Sequence, residues 1–322
     1  MMNEEHGSND GDPLRDLFAH VRPRPAPPPE DEAEIRRALF SEWDALTGRR
    51  VLLNRFGAAA AAALLVAGLA ALLLRTSMAP AAVVASVERV RGDAQVDGVA
   101  LTIGARIPSA ARIDTRNGQV ALHLEGGGSL RLAPQTALMF AAAGRARLDS
   151  GAVYFDSEAG AAAARVEIRT SLGTVRDLGT QFVARLAGDR LEVGVRDGRV
   201  TIARAADSID VEPGERVSVA RGVDRPRREQ VATFGADWDW AERLAPPFAI
   251  DGRPLIEFLH WVEAQTGRTL AFADAASEQA ARDTILSGSI DLEPLAKLAA
   301  VIATTDLEYS LDGERIVIRA RR

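Results

Sequence analysis

The sequence predicts a mainly β extracytoplasmic domain, plus a small α+β C-terminal module, one transmembrane helix and a short helical or disordered cytoplasmic tail. Three observations predict it. An uncharged apolar run occupies residues 56–74, short alternating runs divided by turn dipeptides fill about 83–227, and beyond Val231 the pattern shifts to alternating strands and helices. A chain of 322 residues accommodates two modest domains and a tail. Hydrophobic content of 47% with 26% charged residues is ordinary globular composition, so the chain as a whole can build a core. A net charge of −6 argues against a nucleic-acid-binding surface, which carries a basic face. The absence of cysteine rules out disulfides and thiolate metal sites and leaves the compartment open.

The run from Phe56 to Leu74 reads FGAAAAAALLVAGLAALLL and is bounded by Arg55 and Arg75. It matches the roughly 20 residues that cross a hydrocarbon core, and it lacks the polar stripe that a buried soluble helix keeps. Arg49, Arg50 and Arg55 precede the run and Arg75 alone follows it, which places residues 1–55 in the cytoplasm. More than fifty residues precede the run, unlike the short charged start of a signal peptide, so the segment reads as an uncleaved anchor.

In the tail, Asp12-Pro13 begins a short pattern of Leu14, Leu17, Phe18 and Val21, and Arg22–Glu30 (RPRPAPPPE) predicts an extended spacer. Ile35, Leu39, Trp43 and Leu46 then recur at helical spacing, predicting an amphipathic helix over about 31–46 that ends before Gly48. A lone helix of this length is marginal in water and needs something to bury against. Either a cytoplasmic protein or the membrane surface could supply it, and the acidic Glu30, Asp31, Glu32 and Glu34 suit anionic lipid poorly.

Across 83–227 the strand-like runs include Gln119–Glu125, Ser129–Leu132, Arg190–Val195, Arg199–Ala203 and Arg216–Val219. Asp97-Gly98, Asn117-Gly118, Gly126-Gly127-Gly128 and Asp197-Gly198 supply turns between them. Many short strands suit a sandwich or a coiled stack, and the pattern does not choose. The triple glycine lacks a following Lys-Ser/Thr and a helix, so it reads as a turn and not a phosphate loop.

The segment from Ser171 to Val183 (SLGTVRDLGTQFV), with Leu191-Glu192-Val193 and Asp197-Gly198-Arg199-Val200, resembles the core signature of FecR-type anti-sigma regulators. Arg91-Gly92-Asp93, Ala111–Thr115 and Gly151–Phe155 fall where that family has its strand and turn consensus, so the resemblance spans about 87–219. In physical terms, Gly173, Gly179 and Gly198 provide turns or close approaches, Val175, Leu178 and Phe182 are core side chains, and Asp177, before Thr180, is a turn-stabilising carboxylate.

Residues 228–247 form a linker, and 248–322 read as an α+β unit. Strands are expected at Phe248–Ile250, Thr269–Phe272 and Leu286–Ile290, helices over Pro254–Gln265 and Leu292–Ala303, and a closing hairpin of Leu307–Leu311 and Ile316–Ile318. The unit resembles the short domain at the N-termini of secretins and TonB-dependent signalling receptors. Its matching residues include Phe248-Ala249-Ile250, Pro254-Leu255, Gln265-Thr266-Gly267, Leu286–Ile290, Leu295 and Thr305–Tyr309. The final strand is expected to present an open edge.

No catalytic constellation is legible. His6, His20, His123 and His260 are scattered, and no cluster has the spacing of a metal site, so neither a catalytic residue nor a cofactor is expected. Trp238 and Trp240, flanked by Asp237 and Asp239, read as a seal at the joint between domains in preference to a sugar platform. The FecR resemblance implies a non-enzymatic, single-pass inner-membrane signal transducer with its C-terminus in the periplasm. Its implied partners are an extracytoplasmic-function sigma factor at the tail and a TonB-dependent receptor or other envelope protein outside. Typical relatives carry a compact helical anti-sigma domain where this tail offers at most two short helices. The alternative is a non-catalytic envelope scaffold or glycan-binding protein.

Overall fold

The computed structural model describes residues 28–43, 81–157, 165–177, 179–205 and 207–321. The expected membrane span at 56–74, the first tail pattern at 14–21, spacer residues 22–27, Leu46 and Leu178 lie outside the described residues. Among the described residues no helix is long and apolar enough to cross a membrane. The chain divides into two units, Met1–Ala79 and Pro80–Arg322.

In the first unit, one helix (α1) covers residues 29–43. It starts two residues earlier than the apolar spacing indicated, so Pro29 and Glu30 leave the expected spacer. Proline suits a first helical turn, where its missing N–H has no partner to lose. The amides of Asp31 and Glu32 donate to the Pro28 carbonyl at 3.0 and 3.3 Å.

Among the described residues, seventeen strands open the second unit. They are β1 (Val83–Arg91), β2 (Gln95–Val96), β3 (Val99–Ala100), β4 (Arg106–Pro108), β5 (Arg112–Asp114), β6 (Gln119–Leu124), β7 (Ser129–Leu132) and β8 (Ala137–Ala142). Then come β9 (Arg145–Asp156), β10 (Glu167–Thr170), β11 (Gly173–Asp177), β12 (Gln181–Ala187) and β13 (Arg190–Asp197). The last four are β14 (Val200–Ala203), β15 (Ser208–Val211), β16 (Glu215–Ala220) and β17 (Arg227–Gln230). One sheet, here sheet A, runs β4-β1-β6-β7-β9-β12-β13-β16-β17. Sheet B runs β3-β2-β5-β8-β9-β10-β11-β14-β15. The long strand β9 belongs to both. Its first half pairs with β8 and β10, and its second half with β7 and β12. Gly151, at φ +92°, stands at the crossing.

Inward side chains of both sheets form one core, including Ile113, Leu122, Phe140, Phe155, Ile168, Val175, Phe182, Val193 and Val217. The fold thus combines the two possibilities the alternation left open. Two sheets face each other across a shared core, and from β5 to β17 the chain advances in order along both.

Residues 228–247 hold the end of β17 and a short helix, α2 (Asp239–Glu242). The C-terminal part contains α3 (Leu255–Thr266), β18 (Thr269–Phe272), α4 (Ala275–Asp283), α5 (Pro294–Ile302), β19 (Leu307–Asp312) and β20 (Arg315–Ala320). Its apolar cluster, with Leu255, Phe258, Leu259, Val262, Leu298, Ile316 and Ile318, contains no residue of the β sandwich.

Three expectations here need correction, and one helix has no counterpart in the sequence pattern. Phe248–Ile250 forms no strand, because the Phe248 carbonyl accepts from Lys297 Nζ at 2.8 Å and its ring packs against Phe258 and Trp261. Leu286–Ile290 forms no strand either. The Leu286 amide donates to the Arg253 carbonyl within an isolated antiparallel bridge between Pro254 and Ile285, and the Gly288 amide turns to Asp251 Oδ1, so the pairing goes no further. Helix α4 was not anticipated, since it buries only Ser277 and Ala281 and shows no apolar stripe. Its one signal is Asp274, whose carboxylate caps the Ser277 amide at 2.7 Å. Finally, the last strand is not an edge, for β20 lies between β18, parallel, and β19, antiparallel.

Candidate functional site

The tail helix presents its apolar residues to solvent. Ile35 is 58% exposed, Leu39 62% and Trp43 69%, and Phe40, which the spacing argument missed, is 65% exposed. Phe40 sits three residues before Trp43 and so adjoins it on the helix surface, widening the apolar face beyond the single stripe. Acidic residues crowd the first turns, where the helix dipole favours them, and Arg36 pairs with Glu32 at 3.4 Å.

Of the family-signature residues, Asp177, Gly179, Thr180 and Gly198 come together, while Gly173 lies at the other end of β11 beside Ala203. Val175 and Phe182 are fully buried in the core. Asp177 is 3% exposed, and Thr180 Oγ1 donates to its carboxylate across the intervening turn. Gly179 has φ +82° and Gly198 φ +77°. A Cβ on Gly198 would meet the Gly179 carbonyl oxygen at 2.5 Å and Thr180 Cγ2 at 2.6 Å. The two turns therefore lie backbone to backbone, with room for no side chain at Gly198. Gly173 has φ +154°, and a Cβ there would lie 3.0 Å from the Ala203 carbonyl oxygen. This cluster positions backbone.

On the outer face of sheet A lies a set of buried polar groups that sequence patterning did not reveal. Leu130 and Leu132 point into the core, so Arg131 between them points outward, yet it is 0% exposed. Its Nη1 donates to the Ala241 carbonyl at 2.8 Å, its Nη2 to Gln265 Oε1, and its guanidinium lies 4.8 Å from the Tyr154 ring centre. Arg196 stands where the pairing of β12 with β13 shifts register, since Gln181 faces Asp197 while Phe182 faces Val195. Such a bulge re-aims a side chain. Arg196 Nε donates to the Thr233 carbonyl at 2.7 Å, Nη1 to the Gln265 carbonyl at 2.9 Å and Nη2 to Glu242 Oε1 at 2.9 Å. Its guanidinium also lies 4.6 Å from the Trp238 ring centre.

Trp238 is 2% exposed, stands edge-on to Tyr154, and donates from Nε1 to the Ala232 carbonyl at 2.8 Å. It packs α2 onto the sheet, with Trp240 beside Val183, and no residue of the α+β module joins this cluster, so the two tryptophans fasten α2 to the sandwich and do not form the expected seal between the domains. Burial pulls the Arg131 guanidinium below its ordinary pKa and raises the Glu242 carboxyl. Burial also pushes Tyr154 up to about 12.

Of the histidines, His123 and His260 are among the described residues and stand apart, His123 3.8 Å from Glu88 and His260 3.1 Å from Glu263. Among the described residues no three His, Cys, Asp or Glu side chains group closely enough to hold a metal ion.

Residues 111–201 match the family model described as FecR protein. No curated protein sequence matches the chain. Two crystal structures of a candidate anti-sigma factor from Parabacteroides distasonis, at 2.50 and 1.65 Å resolution, resemble it at 16% identity. Each alignment covers 66% of this chain and 99% of the other, with TM-scores of 0.35 and 0.36, too distant to carry a structural argument.

Proposed function

We propose that this chain, whose residues 111–201 match the FecR family model, is a membrane-spanning transducer that regulates an extracytoplasmic-function sigma factor by binding alone. The observation that carries this reading is α1, a short helix with Ile35, Leu39, Phe40 and Trp43 all more than half exposed. Solvated apolar faces of this kind mark interaction sites, and an amphipathic helix laid in a groove is a recurrent mode of recognition. The sigma factor supplies the groove on the cytoplasmic side. In this reading residues 56–74 span the inner membrane and the β sandwich and α+β module lie in the periplasm. There the module, which resembles the short N-terminal domain of secretins and TonB-dependent receptors, receives the state of such a receptor or another envelope protein.

Aromatic and leucine anchors commonly contribute about 2 kcal/mol or more each, so Trp43→Ala together with Leu39→Ala weakens sigma binding by a hundredfold or more on the order of magnitude. A two-hybrid assay of the tail against each extracytoplasmic-function sigma factor of the genome reads this. An unchanged signal in the double variant removes α1 as the contact. Topology is checked separately: a reporter active only in the periplasm is active when fused after Arg91 and silent after Thr47, and activity at Thr47 reverses the orientation.

A further inference from the structure

We propose that the α+β module, residues 248–321, is a detachable cap on the outer face of sheet A, and that when docked it clamps β1. Nothing in this proposal depends on the identity of the cytoplasmic partner.

Two polar patches hold the module. At the first, the C-terminal end of α3 meets the sheet. The Ala264 carbonyl accepts from Gln181 Nε2 at 3.0 Å, the Gln265 carbonyl from Arg196, and the Gln265 side chain from Arg131. The Gly267 carbonyl accepts from Thr233 Oγ1 at 3.1 Å. The last carbonyls of a helix lack internal partners and carry its negative dipole end, so a guanidinium and amide donors are the right complement. Gly267, at φ +63°, lets Arg196 approach, since a Cβ there would stand 2.6 Å from Arg196 Nε. At the second patch, Arg89 Nη2 pairs with Asp291 at 2.5 Å and Arg91 with Glu293 at 3.2 Å. Both arginines lie on β1, the strand that follows the expected membrane span.

The apolar clusters do not cross this boundary. That of the module contains residues 248–318 only, and that which fixes α2 to the sheet contains Tyr154, Val183, Trp238, Trp240 and Ala241. No apolar cluster therefore has to be split when the module departs, and Arg131 and Arg196 exchange only their Gln265 acceptors for water, keeping Ala241, Thr233 and Glu242. Polar joints between domains behave as reversible contacts, and a charged one weakens as salt screens it. The module keeps its own core when it leaves, and β1 loses both ion pairs.

The test uses the full chain in lipid nanodiscs. The chain has no cysteine, so Ala187→Cys and Ala276→Cys, both at exposed positions, accept spin labels whose separation reports docking. The parent protein gives one narrow distance. Arg89→Glu with Arg91→Glu raises a second, longer population about tenfold, from the loss and reversal of two partly exposed pairs. Adding Asp291→Arg and Glu293→Arg restores the single distance. Arg196→Gln, acting at the other patch, also produces the longer population, while circular dichroism keeps the parent β signal. An unchanged narrow distance in both the β1 and Arg196 variants overturns the proposal. Loss of β signal together with release does so as well, because the module would then belong to a single cooperative core.

Discussion

Gly151→Ala destabilises the β sandwich by about 3–5 kcal/mol, the combined scale of a strained backbone and an overpacked interior. Gly151 is where β9 leaves sheet B for sheet A: Ser150 still pairs with Ala137, whereas Gly151 pairs with Leu186. Its φ of +92° is disfavoured for alanine, and an added Cβ would lie 2.7 Å from the Gln135 carbonyl oxygen and run into the backbone and hydroxyl of Thr136. That hydroxyl cannot step aside without losing its bonds to the Ala152 amide and carbonyl, at 3.0 and 3.1 Å. Gly98→Ala is the control. Gly98 has a similar φ of +82° with nothing within 4 Å of the added carbon, so it shows the backbone strain alone, about 1–2 kcal/mol. For a folded unit of this size the difference is roughly 5–10 °C in melting temperature. Equal melting temperatures for the two variants would mean that the crossing tolerates a side chain.

Arg131→Ala has the second large effect, and it falls on the joint more than on the sandwich. The substitution leaves the Gln265 Oε1 and the Ala241 carbonyl without their donor and removes the cation 3.8 Å from Asp156. Breaking one side of a buried charged network costs about 3–5 kcal/mol when the other side must stay buried. Here the module can undock and hydrate Gln265, so that part of the loss is limited to the free energy of docking, while the Ala241 carbonyl and Asp156 stay with the sheet. Thermal unfolding of Arg131→Ala is expected to separate into two transitions, the later one at the melting temperature of the sandwich. Arg131→Met keeps most of the packing stem without donors, and it separates the transitions as well if hydrogen bonding governs the joint. A single transition shifted downwards in both variants would place Arg131 in the common core.

The sandwich was legible because its strands alternate and its turns carry glycine. Gln119–Leu124, Ser129–Leu132 and Val200–Ala203 fall within a residue or so of their expected bounds. Division into two sheets sharing β9 was not legible, because residues 145–156 form an unbroken strand whose change of partners is written only in Gly151. Arg131 and Arg196 were hidden for a related reason. Arg131, a charged residue between two leucines, and Arg196, beside Asp197, both read as solvent-facing, and only the arrival of α2 and α3 on that face buries them. Helix α4 escaped because it packs through small residues, and the expected strand at 286–290 fails because pairing stops at the single Pro254–Ile285 bridge and the Gly288 amide bonds to Asp251. The tail face at Ile35, Leu39 and Trp43 followed from spacing alone, while Phe40 lies off the strict repeat.

The central claim is that this chain controls a sigma factor through α1. Its most direct test is transcription from promoters of the genome's extracytoplasmic-function sigma factors, in cells carrying either the parent chain or Leu39→Asp, at matched membrane levels. A buried aspartate in place of leucine abolishes an apolar contact without removing the helix. The account predicts that one sigma-dependent promoter set changes output several-fold between the two strains while the others do not. Identical transcription across every set, with both proteins present in the membrane, would contradict it.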